Sequence, residues 1–469
     1  MTYRMFMLPI FLMGATLTAA RGDEPKPMPQ PPSDPNIQIQ AHGPLHEAFA
    51  QPWQKDANPS EAVPKRPPEP IAEEPPDQRP AGDNVQWIPG YWQFDPATKD
   101  FMWISGVWRN APEHRRWTPG YWTDTQEGFR WVSGHWAADT EPDRQLVPTP
   151  PQSVDNGPSA PTPDDHSFYI PGTWFYTDAG WRWRAGYWAD ERPGYSWVPA
   201  AYYWTPEGWN FTAGYWDWDP YHRGLVYAPV YFGGGIYLRP GFVWRPYFAL
   251  SIGGIYDSLF FRVGFRSYYF GNYYAGFYAG LGFRPWAIWG AGWHDPLWHG
   301  VAFAHAGAGF GAGIGFSAGI GAGIGGVGAG IGFSAGLRAS AEARLAGKEA
   351  GPARTLAEQN RAGAGAHALV ASPSNLNGVK LQPVSAQQRQ SFAQNAHTFT
   401  NHSVEMSHTT SQWKIQGNNF HQNEQHFNQG FNQGFNQGQM MHQGQGGNNG
   451  GRGGNGGGNG GGHGNNGHH

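Results

Sequence analysis

The chain has 469 residues, room for about three domains at ~150 residues each, but its 69 Gly and 41 Pro bring it close to the make-up of low-complexity chain. Thirty-one basic against 35 acidic residues leave a net charge of −4, which excludes a strong overall attraction to nucleic acid or to anionic membranes. Cysteine is absent, so disulfides, thiolate metal sites and a cysteine-linked lipid anchor are excluded, and stability has to come from packing.

Residues 1–22 have the layout of a secretory signal peptide. Arg4 supplies the positive start, Met5 to Leu17 is apolar apart from an interruption at Pro9, and cleavage fits after Ala20 or Gly22. The stretch is too short to span a membrane. Residues 23–84 follow as a Pro-rich disordered linker, with 16 prolines between positions 23 and 83. Proline fixes φ and removes a backbone donor, so an extended, semi-rigid spacer is expected there.

The next stretch repeats. Its units are WIPGYW (Trp87, Gly90, Trp92), WISGVW (Trp103, Gly106, Trp108), WTPGYW (Trp117, Gly120, Trp122) and WVSGHW (Trp131, Gly134, Trp136). After a Pro-rich insert (139–166) come YIPGTW (Tyr169, Gly172, Trp174), WRAGYW (Trp183, Gly186, Trp188), WVPAAY (Trp197, Ala200, Tyr202) and FTAGYW (Phe211, Gly214, Trp216). The step is 14 residues apart from one of 16 and the 38-residue gap. Odd units carry Pro at the third position and even units carry Ser or Ala, so the true repeat is a pair of about 28 residues, present four times. Turn chemistry joins the units at Asp95-Pro96, Glu127-Gly128, Asp178-Ala179-Gly180, Pro193-Gly194 and Thr205-Pro206-Glu207-Gly208. Short aromatic flanks suit strands. The fold class is therefore mainly β: tandem antiparallel β-hairpin repeats spanning 85–218, with an irregular aromatic extension and long disordered tails. The outer aromatics of a unit are five apart, which on a regular strand places them on opposite faces. A bulge at the glycine, turning both rings to one side, is the expected solution.

The paired W-x-x-G-x-W pattern resembles the WXXGXW-repeat proteins, a family of exported bacterial proteins with no established function. The likeness covers residues 87–216, about a quarter of the chain. The unit Trp197–Tyr202 departs from the pattern, with Ala200 for Gly and Tyr202 for Trp. The resemblance implies export and a repeat fold and brings no activity.

Residues 219–300 stay aromatic without the period: RPGFVWRP (Arg239–Pro246), SLFFRVGF (Ser258–Phe265) and SYYFGNYY (Ser267–Tyr274). Short strands and turns are expected, with a short helix around Tyr256–Arg262. Residues 301–337 form a Gly/Ala-rich low-complexity segment, uncharged from 306 to 337. Gly307, Gly311, Gly315, Gly319 and Gly323 are spaced like the small residues of packed membrane helices. Glycine density argues against a stable span. Residues 338–400 are Ala-rich, partly helical or disordered, with short helices expected near Ser340–Ala350 and Ser385–His397. Residues 401–469 form a Gln/Asn/Gly/His-rich tail with FNQG at Phe427, Phe431 and Phe435, expected to be disordered and prone to self-association.

Nothing in the chain carries catalysis. Two G-x-S-x-G matches, at Gly315–Gly319 and Gly332–Gly336, arise from Gly/Ala repeat and lack the strand–turn–helix that a nucleophile elbow needs. Gly321, Gly323 and Gly326 match G-x-G-x-x-G without a βαβ context. His294, His299 and His305 have only Asp295 nearby, and His463, His468 and His469 sit in chain with no fixed geometry. No metal, cofactor or catalytic site is expected. The sequence points to a non-catalytic exported structural or interaction protein of the periplasm, cell envelope or extracellular space. The alternative is a glycan- or peptidoglycan-binding module whose tryptophans stand exposed as platforms. Expected partners are cell-wall glycan or envelope proteins, with self-association through the tails and no nucleic acid.

Overall fold

The structure, a computed structural model, describes residues 34–140, 146–164, 167–262, 264–289, 295–297, 327–363, 368–376 and 378–409. The signal-like residues 1–22, the histidines at 294, 299 and 305, most of the Gly/Ala-rich segment and the tail beyond 409 lie outside them. Everything below belongs to the unit that begins at Pro35.

Each 28-residue repeat is one antiparallel hairpin made of two short ladders. In the first, Val85–Ile88 pairs with Val107–Asn110, and Tyr91–Asp95 pairs with Asp100–Ile104. The second pairs Arg115–Thr118 with His135–Ala138 and Tyr121–Thr125 with Gly128–Val132. The third pairs Ser167–Ile170 with Tyr187–Asp190 and Thr173–Thr177 with Gly180–Arg184. The fourth pairs Tyr195–Val198 with Tyr215–Trp218 and Ala201–Thr205 with Gly208–Thr212. Three of the tips close alike, with a Thr hydroxyl (Thr125, Thr177, Thr205) donating to the carbonyl of a glycine three residues on. Those glycines, Gly128, Gly180 and Gly208, hold positive φ. In the first hairpin Asp95 caps the turn instead, accepting from Ala97 N–H and Thr98 hydroxyl.

The expected bulge is absent. Ile88 faces Val107 and Tyr91 faces Ile104, so two residues on one strand oppose two on the other, and no residue is extra. The ladder is simply interrupted on both strands. One reason is the odd unit's proline (Pro89, Pro119, Pro171 or Pro199), which has no N–H to give. The other is the glycine beside it. Each hairpin keeps its own pair of ladders, and neighbouring hairpins do not merge into one wide sheet.

Residues 35–84 are not a spacer. Ile37–Ile39 pairs with Val230–Phe232, Gly43–Pro44 with Tyr268–Phe270, Ala72–Glu73 in parallel with Val243–Trp244, and Gln78–Pro80 with Leu381–Pro383. Leu45, Ala48 and Phe49 are fully buried. Proline forbids long ladders, yet two- and three-residue ladders between prolines suffice to lay this strap across the hairpins.

The extension contributes strands Leu259–Arg262, Tyr268–Phe270 and Phe283–Pro285 in one sheet. Its short α-helices are Ile252–Asp257, N-capped by Ser251, Gly276–Gly280 and Trp286–Trp289. The first of these covers only the first two residues of the stretch expected to be helical, because the aromatic-bearing run Leu259–Arg262 is taken into the sheet. Helices Val327–Leu345, Leu356–Ala362 and Ala386–Thr409 follow. The last runs past residue 400, into what was expected to be tail. Ser403 and Ser407 donate to the carbonyls of Gly120 and Trp122, and Phe392 meets Trp108 edge-on at 4.9 Å. Tertiary contact with the first two hairpins, which composition does not reveal, holds that helix. The second G-x-S-x-G match lies within helix Val327–Leu345 and not at a strand-to-helix turn. No helix of the described residues is long and apolar enough to cross a membrane.

Candidate functional site

The repeat motif works as a set of reciprocal contacts across each hairpin. The first aromatic of one unit faces the last of the other: Trp87 and Trp108, Trp92 and Trp103, Trp117 and Trp136, Trp122 and Trp131, Trp174 and Trp183, Trp197 and Trp216. Ring centroids lie 5.1–5.5 Å apart at steep angles, the edge-to-face geometry that aromatic quadrupoles favour. In the third hairpin Tyr169 meets Trp188 the same way at 5.7 Å.

The glycine is required by space. A Cβ on Gly106 would sit 2.5 Å from Trp87 Cζ2 and 2.6 Å from Ile88 O; on Gly134, 2.5 Å from Trp117 Cζ2; on Gly120, 2.4 Å from Trp131 Cζ2. Gly90, Gly172 and Gly214 are covered in the same way by Trp103, Trp183 and Trp197, and Gly186 by the Tyr169 hydroxyl. None of the seven has positive φ. In seven of the eight units the first aromatic therefore packs against the glycine of the opposite unit. The fourth hairpin tests this rule. Where Ala200 replaces glycine, the ring that would cover it is Phe211 and not Trp, and the smaller ring leaves room for the methyl group.

The interruption leaves glycine N–H groups without a ladder partner, in the interior of the protein. Carboxylates from outside the repeats take them. Glu73 of the strap accepts from Gly90 N–H (2.6 Å), Gly106 N–H (3.1 Å) and Trp103 Nε1 (3.1 Å). Glu47 accepts from Gly134 N–H (2.9 Å) and Trp131 Nε1 (3.1 Å) in the second hairpin. Asp155 of the insert accepts from Gly172 N–H and from the Tyr169 hydroxyl (3.0 Å) in the third. Among the described residues no such acid bonds to Gly214. The fourth hairpin thus departs in three ways together: Ala200 stands for the second glycine, Phe211 for the indole over it, and no carboxylate among the described residues bonds Gly214 N–H.

Glu47 and Glu73 are fully enclosed. Burial pushes both carboxyls up to about 7, with the N–H donors pulling the other way. His46, beside Glu47, is held down to about 4 by burial. Its Nε2 lies 3.1 Å from Pro89 O, and its Nδ1 accepts from Ala48 N–H, so it is neutral with the proton on Nε2. Ala48 O accepts from Trp136 Nε1 and from Arg109 Nε. Three consecutive strap residues thereby join the break of the first hairpin to that of the second. Below them Arg109 of the first hairpin pairs with both oxygens of Asp217 of the fourth, at 2.5 and 2.6 Å, and Arg223 approaches the same carboxylate at 3.1 Å.

All repeat-defining residues fall at equivalent places in the four hairpins. The acids that complete them, Glu47, Glu73 and Asp155, were not expected from the sequence. Among the described residues no three His, Asp or Glu side chains gather as a metal site. The buried acids face N–H donors of the hairpins they enter.

A family model, the WXXGXW repeat (2 copies), matches residues 82–109, 116–137, 168–189 and 192–217. Residues 82–217 thus carry the WXXGXW repeat. Each of the four matched segments corresponds to one hairpin of the structure, and the family description names no activity. No curated protein and no solved structure matches the chain.

Proposed function

We propose that this WXXGXW-repeat protein is a non-catalytic, exported structural or interaction protein of the cell envelope. The observation that carries the proposal is where the tryptophans go. Trp87, Trp92, Trp103, Trp108, Trp117, Trp122, Trp131, Trp136, Trp197 and Trp216 are all buried, spent on ring pairs, glycine cover and indole hydrogen bonds. They hold together small hairpins that have no disulfide to rely on. A scaffold of this kind presents its surfaces and its strap to other molecules.

The glycan-binding reading keeps one foothold. In the third hairpin Trp174, Trp183 and Trp188 are half-buried, and only there could repeat rings serve as a platform for sugar faces.

The test is fractionation of bacteria expressing the full chain with a tag at its end, combined with N-terminal sequencing and a peptidoglycan pull-down. A processed N-terminus in the envelope fraction is expected. Recovery from the cytosol with Met1 retained overturns the proposal. Saturable peptidoglycan binding lost on Trp174→Ala and Trp183→Ala would move the assignment to the glycan-binding reading.

A further inference from the structure

The strap and the insert meet the hairpins by the same rule. An indole N–H of the repeat donates to a carbonyl of a proline-rich segment: Trp92 to Glu69 O within Pro67–Pro70 (2.9 Å), Trp136 to Ala48 O (3.1 Å), Trp174 to Gln152 O (2.9 Å), Trp188 to Ala160 O (3.2 Å). The acid of the same segment then enters the break between the glycines. Four hydrogen bonds hold the insert on the third hairpin, from Gly172 N–H, the Tyr169 hydroxyl, Trp174 Nε1 and Trp188 Nε1. In every one the hairpin donates and the insert accepts. A proline-rich chain suits such a surface, since each proline keeps its carbonyl and brings no N–H that would have to be buried unpaired. Its extended conformation also costs little to order.

What differs is how firmly the segment is held. Glu47 and Glu73 are buried, Glu47 together with Leu45, Ala48 and Phe49, although Ala72 beside Glu73 is exposed. On the insert Pro151, Gln152, Val154, Asn156, Gly157, Ser159 and Ala160 are exposed and Asp155 is only half-buried. Besides those four bonds, Ser153 N–H donates to Asp56. Ahead of it Leu146–Val147 pairs with Trp209 and Asn210 of the fourth hairpin, where Thr149 accepts from Trp209 Nε1.

We propose that the third hairpin is a docking site for an extended, proline-rich segment of a partner protein carrying one carboxylate, and that residues 150–160 are its built-in, displaceable occupant. The partner's acid takes the place of Asp155 between Gly172 N–H and Tyr169, and two of its carbonyls take the indole donors of Trp174 and Trp188. The proposal rests on the interaction-protein reading above and names its partner's chemistry.

The experiment uses the full chain carrying Asp155→Asn, which weakens the resident segment, and two synthetic peptides with the sequence of residues 148–164. One keeps the Asp and the other has Asn in its place. Binding is read by calorimetry and tryptophan fluorescence. The acid peptide is expected to bind the D155N chain about 10-fold more tightly than its Asn counterpart. It should bind the wild-type chain more weakly than the D155N chain, because the tethered segment competes at high effective concentration. Tyr169→Phe on the D155N background, which removes the hydroxyl donor to the acid, should reduce the preference for the acid. Equal binding of the two peptides, or none by a D155N chain whose thermal melt matches wild type, overturns the proposal. So does dimerisation of the D155N chain at micromolar concentration in sedimentation, which would make a second copy the occupant. The fractionation test above is independent of these outcomes, so failure here leaves the envelope reading standing.

Discussion

The first and third hairpins share a register, a glycine pair and a carboxylate in the break, yet they live in different surroundings. Glu73 sits in the interior, and the ring over Gly106, Trp87, is fully buried. Asp155 lies half-exposed on the insert, and the ring over Gly172, Trp183, is half-buried. The same local geometry is thus a structural bolt in one place and an accessible contact in the other. Burial, and not the motif, decides which.

Removing the acid should separate the two most sharply. Glu73→Ala leaves Gly90 N–H, Gly106 N–H and Trp103 Nε1 buried without an acceptor and should cost about 3–5 kcal/mol of unfolding free energy in urea titrations. Asp155→Ala, where water can replace the carboxylate, should cost about 1 kcal/mol. Equal costs would remove the distinction drawn between the hairpins.

The pH dependence should come next in size and belong to the first two hairpins. Glu47 and Glu73 have carboxyls raised from 4.5 to about 7 in the folded protein. The unfolded chain therefore releases these protons first. The stability they contribute is complete below pH 4.5 and is lost as pH rises through about 7, by an amount on the order of 3 kcal/mol per acid. Urea midpoints measured from pH 4.5 to 8 should fall with pH. The fall should shrink in Glu47→Gln with Glu73→Gln, and a slope unchanged in that double variant would place its origin elsewhere.

Glycine substitutions should sharpen the comparison further. Gly106→Ala drives a methyl group into Trp87 Cζ2 and Ile88 O, neither free to move, and should cost about 3 kcal/mol by the same titration. Gly172→Ala meets Trp183 Cζ2 at 2.4 Å. That half-buried ring can tilt outward, but Arg184 O and Gly186 N, both backbone, stand at 2.9 Å, so about 2 kcal/mol is expected. The smallest effect belongs to the fourth hairpin. Phe211→Trp should destabilise by about 1 kcal/mol through the Ala200 methyl, and adding Ala200→Gly should recover most of it.

The hairpins were legible because the 14-residue step, the Pro/Ser alternation and the turn residues all point to the same pairing. The bulge was a wrong solution to a real problem: rings five apart need an interrupted ladder, and symmetric glycines supply one without an extra residue. The strap was misread because proline content describes the lack of long ladders and says nothing about burial. Its signal was present in Leu45–Ala50, a short apolar run with one acid, Glu47, at its centre. The partners of that acid could not be read from the sequence, since Glu47 and Gly134 are 87 positions apart. The pairing of Ala200 with Phe211 was visible as two departures from the motif, and only the register shows that they are one.

The most direct test of the carboxylate-in-the-break account is a double-mutant cycle between Glu73→Ala and Trp103→Phe, read as unfolding free energy. The phenyl ring keeps the aromatic contact and removes the Nε1–H donor. The account predicts a coupling of about 1–2 kcal/mol in this pair, and additivity within about 0.5 kcal/mol when Trp131→Phe of the second hairpin replaces Trp103→Phe. Additivity in both cycles would contradict it, and would leave Glu73 a buried acid with no particular bond to the hairpin it enters.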